Sequence, residues 1–223
     1  PPPVRHPHEP AAMPLPPVSV ACPPERSTDS HEGSAPQCRY PCTFLQAAEG
    51  SLDELPSLPE GALPLQRKLS KAIYGNVYLA DLADPGGSPD LAAVKRMPRE
   101  VVLRTGCCVE SASNELHAAH ALMRLGVPHV VEIIGTAQDN HFFYLVMEFC
   151  QRGELFAWLS HEGRVHNEAL LRTIFWQVLT AVRELHHEGI VHRDISLENI
   201  LICSDGTLRL CDFGQALLVH APG

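Results

Sequence analysis

From Leu65 to Leu82 polar and apolar residues alternate around a central Gly75, in the stretch L-Q-R-K-L-S-K-A-I-Y-G-N-V-Y-L-A-D-L. A period of two puts alternate side chains on opposite faces, so the stretch predicts a β-hairpin. Residues 91–97, an apolar run holding one lysine, predict a short strand, and residues 129–138 and 142–149 predict two more. Between them, residues 110–125 place Leu116, Ala119, Leu122 and Met123 at helical spacing. Residues 153–160 predict a short helix. The clearest helix covers residues 168–189, where Leu171, Ile174, Phe175, Val178, Val182 and Leu185 form an apolar stripe and Gly189 follows as a stop signal. Then I-L-I-C-S and T-L-R-L-C-D flank Asp205-Gly206, a pair that suits a tight turn, so a small hairpin is expected there. The order is α+β: a strand-rich first lobe with one inserted helix, then a helical second lobe.

Composition changes the picture mainly at the front. Fifteen of the 20 prolines lie at or before Pro64. That segment has no amphipathic period, so residues 1–64 are expected to be mostly disordered. It reads first as a linker and second as a Pro-rich docking tail for a partner. Two further units follow, residues 65–150 and 151–223. The formal net charge of −9 and a pI near 5.8 argue against nucleic acid or an anionic membrane as the main partner. No apolar run reaches the roughly 18 residues that a membrane span needs. The chain does not begin with Met, which leaves open a removed leader. Eight cysteines are present and no CxxC pair recurs, which speaks against a zinc site. Cys150, Cys203 and Cys211 sit in strand-like runs and read as small buried hydrophobes in a reducing, intracellular and cytoplasmic setting. His117 and His120 lie one helical turn apart, with no third metal ligand indicated.

The candidate chemistry is concentrated in I-V-H-R-D-I-S-L-E-N-I-L-I-C-S-D-G-T-L-R-L-C-D-F-G, residues 190–214. Phosphoryl transfer needs a phosphate cradle, a cation to fix the phosphates, metal ligands and a group that orients the attacking hydroxyl. Asn199 and Asp212 are oxygen ligands on either side of a predicted hairpin, which suits magnesium. Asp194, five residues before Asn199, is placed to accept a hydroxyl proton.

H-R-D-I-S-L-E-N followed by D-F-G resembles the catalytic and metal-binding loops of eukaryotic protein kinases, in the same order and after A-A-V-K and L-V-M-E-F. The resemblance runs from about Leu65 to the end and implies a two-lobe fold using ATP and Mg2+ to phosphorylate protein hydroxyls, with Ser/Thr favoured. It implies that Asp194 is the catalytic base, that Asn199 and Asp212 hold the metal, and that Lys95 meets the α and β phosphates. It also implies a phosphate loop at Ser70, Ala72, Gly75 and Val77. Met147 would stand at the back of the adenine pocket, Glu148, Phe149 and Cys150 would form its hinge, and Val77, Ala93 and Leu201 would sandwich the ring. Glu154 would reach the ribose, while His192 and Phe213 would be core residues.

Several positions depart from that pattern. Ser70 and Ala72 replace the first two glycines of the phosphate loop, which implies a stiffer cradle and weaker ATP binding. The usual helix glutamate falls at Ala118, and Glu115 lies three residues earlier on the same face, so a shifted helix would bring it to Lys95. Ser196 replaces a lysine common in Ser/Thr kinases. The chain ends nine residues after Gly214 with no A-P-E, so the 223 residues alone are expected to be poorly stable and to phosphorylate no peptide. The rivals to an active kinase are a pseudokinase-like scaffold that keeps the fold and nucleotide, and an inactive fragment.

Overall fold

A computed structural model describes residues 55–83, 89–103, 112–163 and 167–219. Residues 1–54, the turn cluster at 84–88, and Cys22, Cys38, Cys42, Cys107 and Cys108 lie outside the described residues, and with them most of the segment expected to be a disordered linker or docking tail.

The first lobe is one antiparallel sheet of β1 (Leu65–Ala72), β2 (Gly75–Asp81), β3 (Leu91–Pro98), β4 (Ile133–Gln138) and β5 (Phe142–Glu148), in the order β1-β2-β3-β5-β4. Alternation sorts its two faces. Ala80, Ala92, Val94, Ile134, Tyr144 and Val146 form one cluster, closed over by Leu58 and Leu63. Those two leucines come from a segment that composition grouped with the Pro-rich region. Leu58 N–H donates to the Gln138 carbonyl at 2.7 Å, and Gln138 N–H donates to the Pro56 carbonyl at 2.9 Å. Residues 55–58 therefore lie along the open edge of β4.

The opposite face packs on α2 (Ala112–Leu125), whose buried residues are Ala112, Glu115, Leu116, Ala118, Ala119 and Leu122. A one-turn helix, α1 (Arg99–Val102), precedes it and had no sequence signal, because four residues show no period. The strand expected over 129–138 is shorter than its apolar run. His129 has φ 58, and Val131 N–H donates to the Leu210 carbonyl at 2.9 Å while Leu210 N–H donates to the His129 carbonyl at 2.8 Å. Residues 129–131 thus leave the sheet and fasten the first lobe to the second.

The second lobe holds α3 (Leu155–Glu162), α4 (Glu168–His187), and the short strands β6 (Ile190–Val191), β7 (Ile200–Ile202), β8 (Leu208–Leu210) and β9 (Leu217–Leu218). The Asn167 side chain caps α4 by accepting from Leu170 N–H at 3.1 Å, and Gly189 ends it at φ 71. The predicted stripe is rotated. Ile174, Gln177, Thr180, Ala181 and Leu185 are buried, while Phe175 is 64% exposed. Gln177 turns inward because its Oε1 accepts from Leu208 N–H at 2.9 Å, which gives a buried polar group its partner. β7 and β8 form the expected hairpin, in which Asp205 Oδ1 accepts from Thr207 N–H at 2.8 Å and Gly206 has φ 85. Among the described residues no helix is long and apolar enough to cross a membrane.

Gly75 has a packing reason to be glycine. A Cβ there would stand 2.1 Å from the Arg96 carbonyl oxygen on β3, and backbone cannot rotate away as a side chain can. Gly75→Ala is expected to destabilise the fold by about 1–3 kcal/mol, the usual cost of overpacking. Urea unfolding will read this as a lower midpoint at constant slope. An unchanged midpoint would show that β2 and β3 can part without cost.

Candidate active site

Cross-strand partners share a face of a sheet, and register places Val77 opposite Lys95 and Ala93 opposite Met147. Ala93 and Lys95 are two apart on β3, so all four sit on the face turned toward α2 and the second lobe. Lys95 Nζ lies 2.6 Å from both Oε1 and Oε2 of Glu115. The two residues are 6% and 3% exposed. Ala118, one turn on, is buried at 1% and offers only a methyl group. The helix is therefore set so that Glu115 reaches the lysine. Lys95 Nζ also stands 3.8 Å from Asp212 Oδ1, across the gap between the lobes. Burial pulls the Lys95 ammonium down, but the carboxylates of Glu115 and Asp212 outweigh it and hold the group above its ordinary value.

In the second lobe the backbone is bent where the polar groups converge. Arg193 and Asp212 adopt φ 65 and 63, a region few side chains occupy. His192 braces both bends. Its Nε2–H donates to the Cys211 carbonyl at 3.0 Å, and its Nδ1 accepts from Asp194 N–H at 3.3 Å. Those partners fix a neutral tautomer, and the ring packs edge-on against Phe213 at 4.7 Å. Burial holds the His192 imidazole below its ordinary value, against the opposing pull of the Cys211 carbonyl. Asn199 Nδ2 donates to the Asp194 carbonyl at 2.9 Å and to Asp194 Oδ2 at 3.0 Å. Both amide hydrogens are thereby used, and the Asn199 side-chain oxygen is turned away from Asp194. Cys211 N–H donates to the Asn199 carbonyl at 2.9 Å, which brings Asp212 alongside Asn199.

Sequence-predicted residues of the nucleotide pocket surround this pair of clusters. Val77, Ala93, Met147 and Leu201 are each half-buried. Met147 and Leu145 line a narrow recess of about 10 Å³ behind Glu115 and Phe213. Glu154 is exposed at the start of α3, and its backbone bridges Leu201. Ser70 pairs with Val77 and Ala72 with Gly75 across the β1–β2 hairpin, whose tip residue Ile73 is 74% exposed. Glu148 accepts from Glu132 N–H at 2.8 Å and from Arg209 Nε at 2.7 Å. Sequence reading missed Arg209, since a lone arginine in a short strand carries no signal. Cys150 is buried at 5%.

Two stability measurements test this wiring. Lys95→Met takes from Glu115 the ammonium that lies 2.6 Å from both its oxygens while the carboxylate stays buried, so it is expected to cost about 3–5 kcal/mol in urea unfolding. Lys95→Met combined with Glu115→Leu removes both charges and should be the less damaging change. Additive losses would mean the two side chains are not coupled.

The second measurement uses pH. Above 6.5, the ordinary imidazole value, His192 is neutral in both states. Below it the unfolded chain takes up the proton first, so stability falls as pH drops through the lower folded value. Burial also holds His120 and His129 below their ordinary values, with the same sign. His192→Gln is expected to flatten the acid limb of stability by up to about 1.4 kcal/mol per pH unit. An identical slope in the variant would show that other groups carry the whole acid loss.

Comparison with known proteins agrees with the geometry. Residues 65–223 match the family model described as the protein kinase domain. The chain is 34% identical over 151 residues to MAP kinase kinase kinase wis4 of Schizosaccharomyces pombe, covering 67% of this chain and 10% of that protein. It is 31% identical over 156 residues to serine/threonine-protein kinase ppk16 of the same organism, covering 69% of this chain and 21% of that protein. It is 38% identical over 155 residues to NUAK family SNF1-like kinase 2 of Rattus norvegicus, covering 68% of this chain and 23% of that protein. The chain thus spans between a tenth and a quarter of the length of these relatives. With residues 65–223 matched by that family model, the chain belongs to the protein kinase domain family.

Proposed function

We propose that the chain binds ATP with Mg2+ and transfers the terminal phosphate to Ser or Thr hydroxyls of a protein. The observation that carries this is the convergence of Lys95, Asp212, Asn199 and Asp194 from two lobes on one cleft. The preference for Ser/Thr rests on relatives named as serine/threonine-protein kinases.

The donor set suits a hard divalent cation. Asn199 spends its N–H groups on Asp194 and presents its amide oxygen, and Asp212 adds a carboxylate whose side chain is 38% exposed. Bound there, the cation would neutralise charge on the phosphate oxygens. Lys95, steadied by Glu115, donates to phosphate oxygens from the sheet side. Asp194, aimed by Asn199, accepts the proton of the attacking hydroxyl. Val77, Ala93, Met147 and Leu201 exclude water around the base, while the backbone of Glu148 and Cys150 provides its hydrogen bonds. Glu154 lies at the ribose edge. Ser70, Ala72 and Gly75 cover the phosphates, and the two residues bearing side chains there make the cover less yielding than glycine. The same substitution favours the scaffold reading, in which nucleotide is held without turnover.

Calorimetry and a peptide phosphorylation assay on a chain that carries a complete kinase domain, as wild type and Asp194→Asn, separate these readings. ATP should bind more tightly with Mg2+ than without. Asp194→Asn should keep that affinity and lower turnover by about 10²–10⁴-fold, as expected for a positioned base. Equal affinity with and without Mg2+ would remove the metal assignment. Tight Mg2+-dependent binding without turnover in wild type would favour the scaffold.

A further inference from the structure

Two cysteines separated by 53 residues face each other beside the hinge. Cys150 follows β5 and Cys203 follows β7, and their sulfurs are 3.6 Å apart. The Cys203 Sγ also lies 3.9 Å from Glu148 Oε2. The three ligand atoms fall within 4.8 Å of one another. We propose that Glu148, Cys150 and Cys203 form a binding site for a thiophilic divalent cation of the zinc class, distinct from the hard-oxygen site at Asn199 and Asp212.

Distances support this reading over a mere contact of two small hydrophobes. Zinc bonds thiolate at about 2.3 Å and carboxylate at about 2.0–2.2 Å, so a tetrahedral ion sets its sulfurs about 3.8 Å apart and sulfur from oxygen about 3.5 Å apart. The observed 3.6 and 3.9 Å edges from Cys203 need shifts of only a few tenths of an ångström, and the third edge, from Cys150 to Glu148, lies within 4.8 Å and closes by a side-chain adjustment. The backbone around the cysteines is already fastened. Arg152 N–H donates to the Ile202 carbonyl at 3.0 Å, and Ile202 N–H donates to the Gly153 carbonyl at 2.8 Å. Ser204 N–H donates to Gln151 Oε1 at 3.0 Å.

The carboxylate is oriented as a ligand should be. Arg209 Nε and Glu132 N–H both donate to Glu148 Oε1, at 2.7 and 2.8 Å, and Oε2 is the oxygen turned to Cys203. Outer partners of this kind fix a ligand's orientation. Charge also balances. On binding, two S–H bonds break, two sulfur–metal bonds form and two protons leave to solvent, with no change in oxidation state. Two thiolates and one carboxylate then face one divalent cation and the Arg209 guanidinium. Glu148 and Cys203 are half-buried, so the cluster is partly open to solvent. A metal held there would join the end of β5 to the β7–β8 hairpin.

Cobalt(II) titration of the reduced full chain tests this independently of kinase activity. One equivalent should give the visible bands of a tetrahedral ion and a thiolate charge-transfer absorption. Zinc should displace it, and zinc added to the metal-free chain should release two protons. Arg209→Gln should weaken cobalt binding by about 10–100-fold, the usual loss for an outer partner. Cys150→Ser with Cys203→Ser should abolish the charge-transfer absorption. Replacing Cys22, Cys38, Cys42, Cys107 and Cys108 with Ser should leave it intact, which keeps the test decisive if the double variant fails to fold. Absence of the absorption in wild type, its survival in the double variant, or its loss in the fivefold variant would overturn the proposal.

Discussion

A lysine and a glutamate that are 6% and 3% exposed stay charged at low cost because they are paired at 2.6 Å. That constraint on Lys95 and Glu115 organises the cleft. It favours one rotation and one height of α2 against the sheet, since moving the helix would break a buried ion pair. It also fixes where the ammonium points, so that Asp212 of the other lobe finds it at 3.8 Å. The apolar residues of α2 supply the adhesion, and the ion pair selects among the ways of adhering.

The second lobe solves a different problem with neutral groups. Its polar residues lie on bent backbone, and His192 ties two bends together through one donor and one acceptor. A charged imidazole would lose the acceptor, which is why burial and tautomer belong to one design. Asn199 then spends its amide hydrogens on Asp194, so the orientation of one side chain sets the other. These loops carry strained conformations because the contacts around them leave no alternative.

The two lobes meet through backbone as well as through Lys95 and Asp212. Residues 129–131 pair with β8, and residues 152–154 pair with β7. Arg209 on β8 reaches Glu148 at the end of β5. The segment after β5 is thus gripped from the same hairpin that Asn199 and Asp212 flank.

The five strands and the helices α2, α3 and α4 were legible because periodicity reports which face of a segment is buried. The order of Asp194, Asn199 and Asp212 was legible because chemistry of that kind lies close together in the chain. Periodicity could not say which rotation of α4 wins: Gln177 has a backbone partner inside, while Phe175 lies outside. It could not choose between Glu115 and Ala118, since both lie on one face and only the position of Lys95 on the neighbouring strand separates them. The meeting of Cys150 with Cys203, and of Arg209 with Glu148, depends on contacts between segments more than fifty residues apart. Local pattern fixes what each segment is, and only the packing of segments decides which side chains share a site.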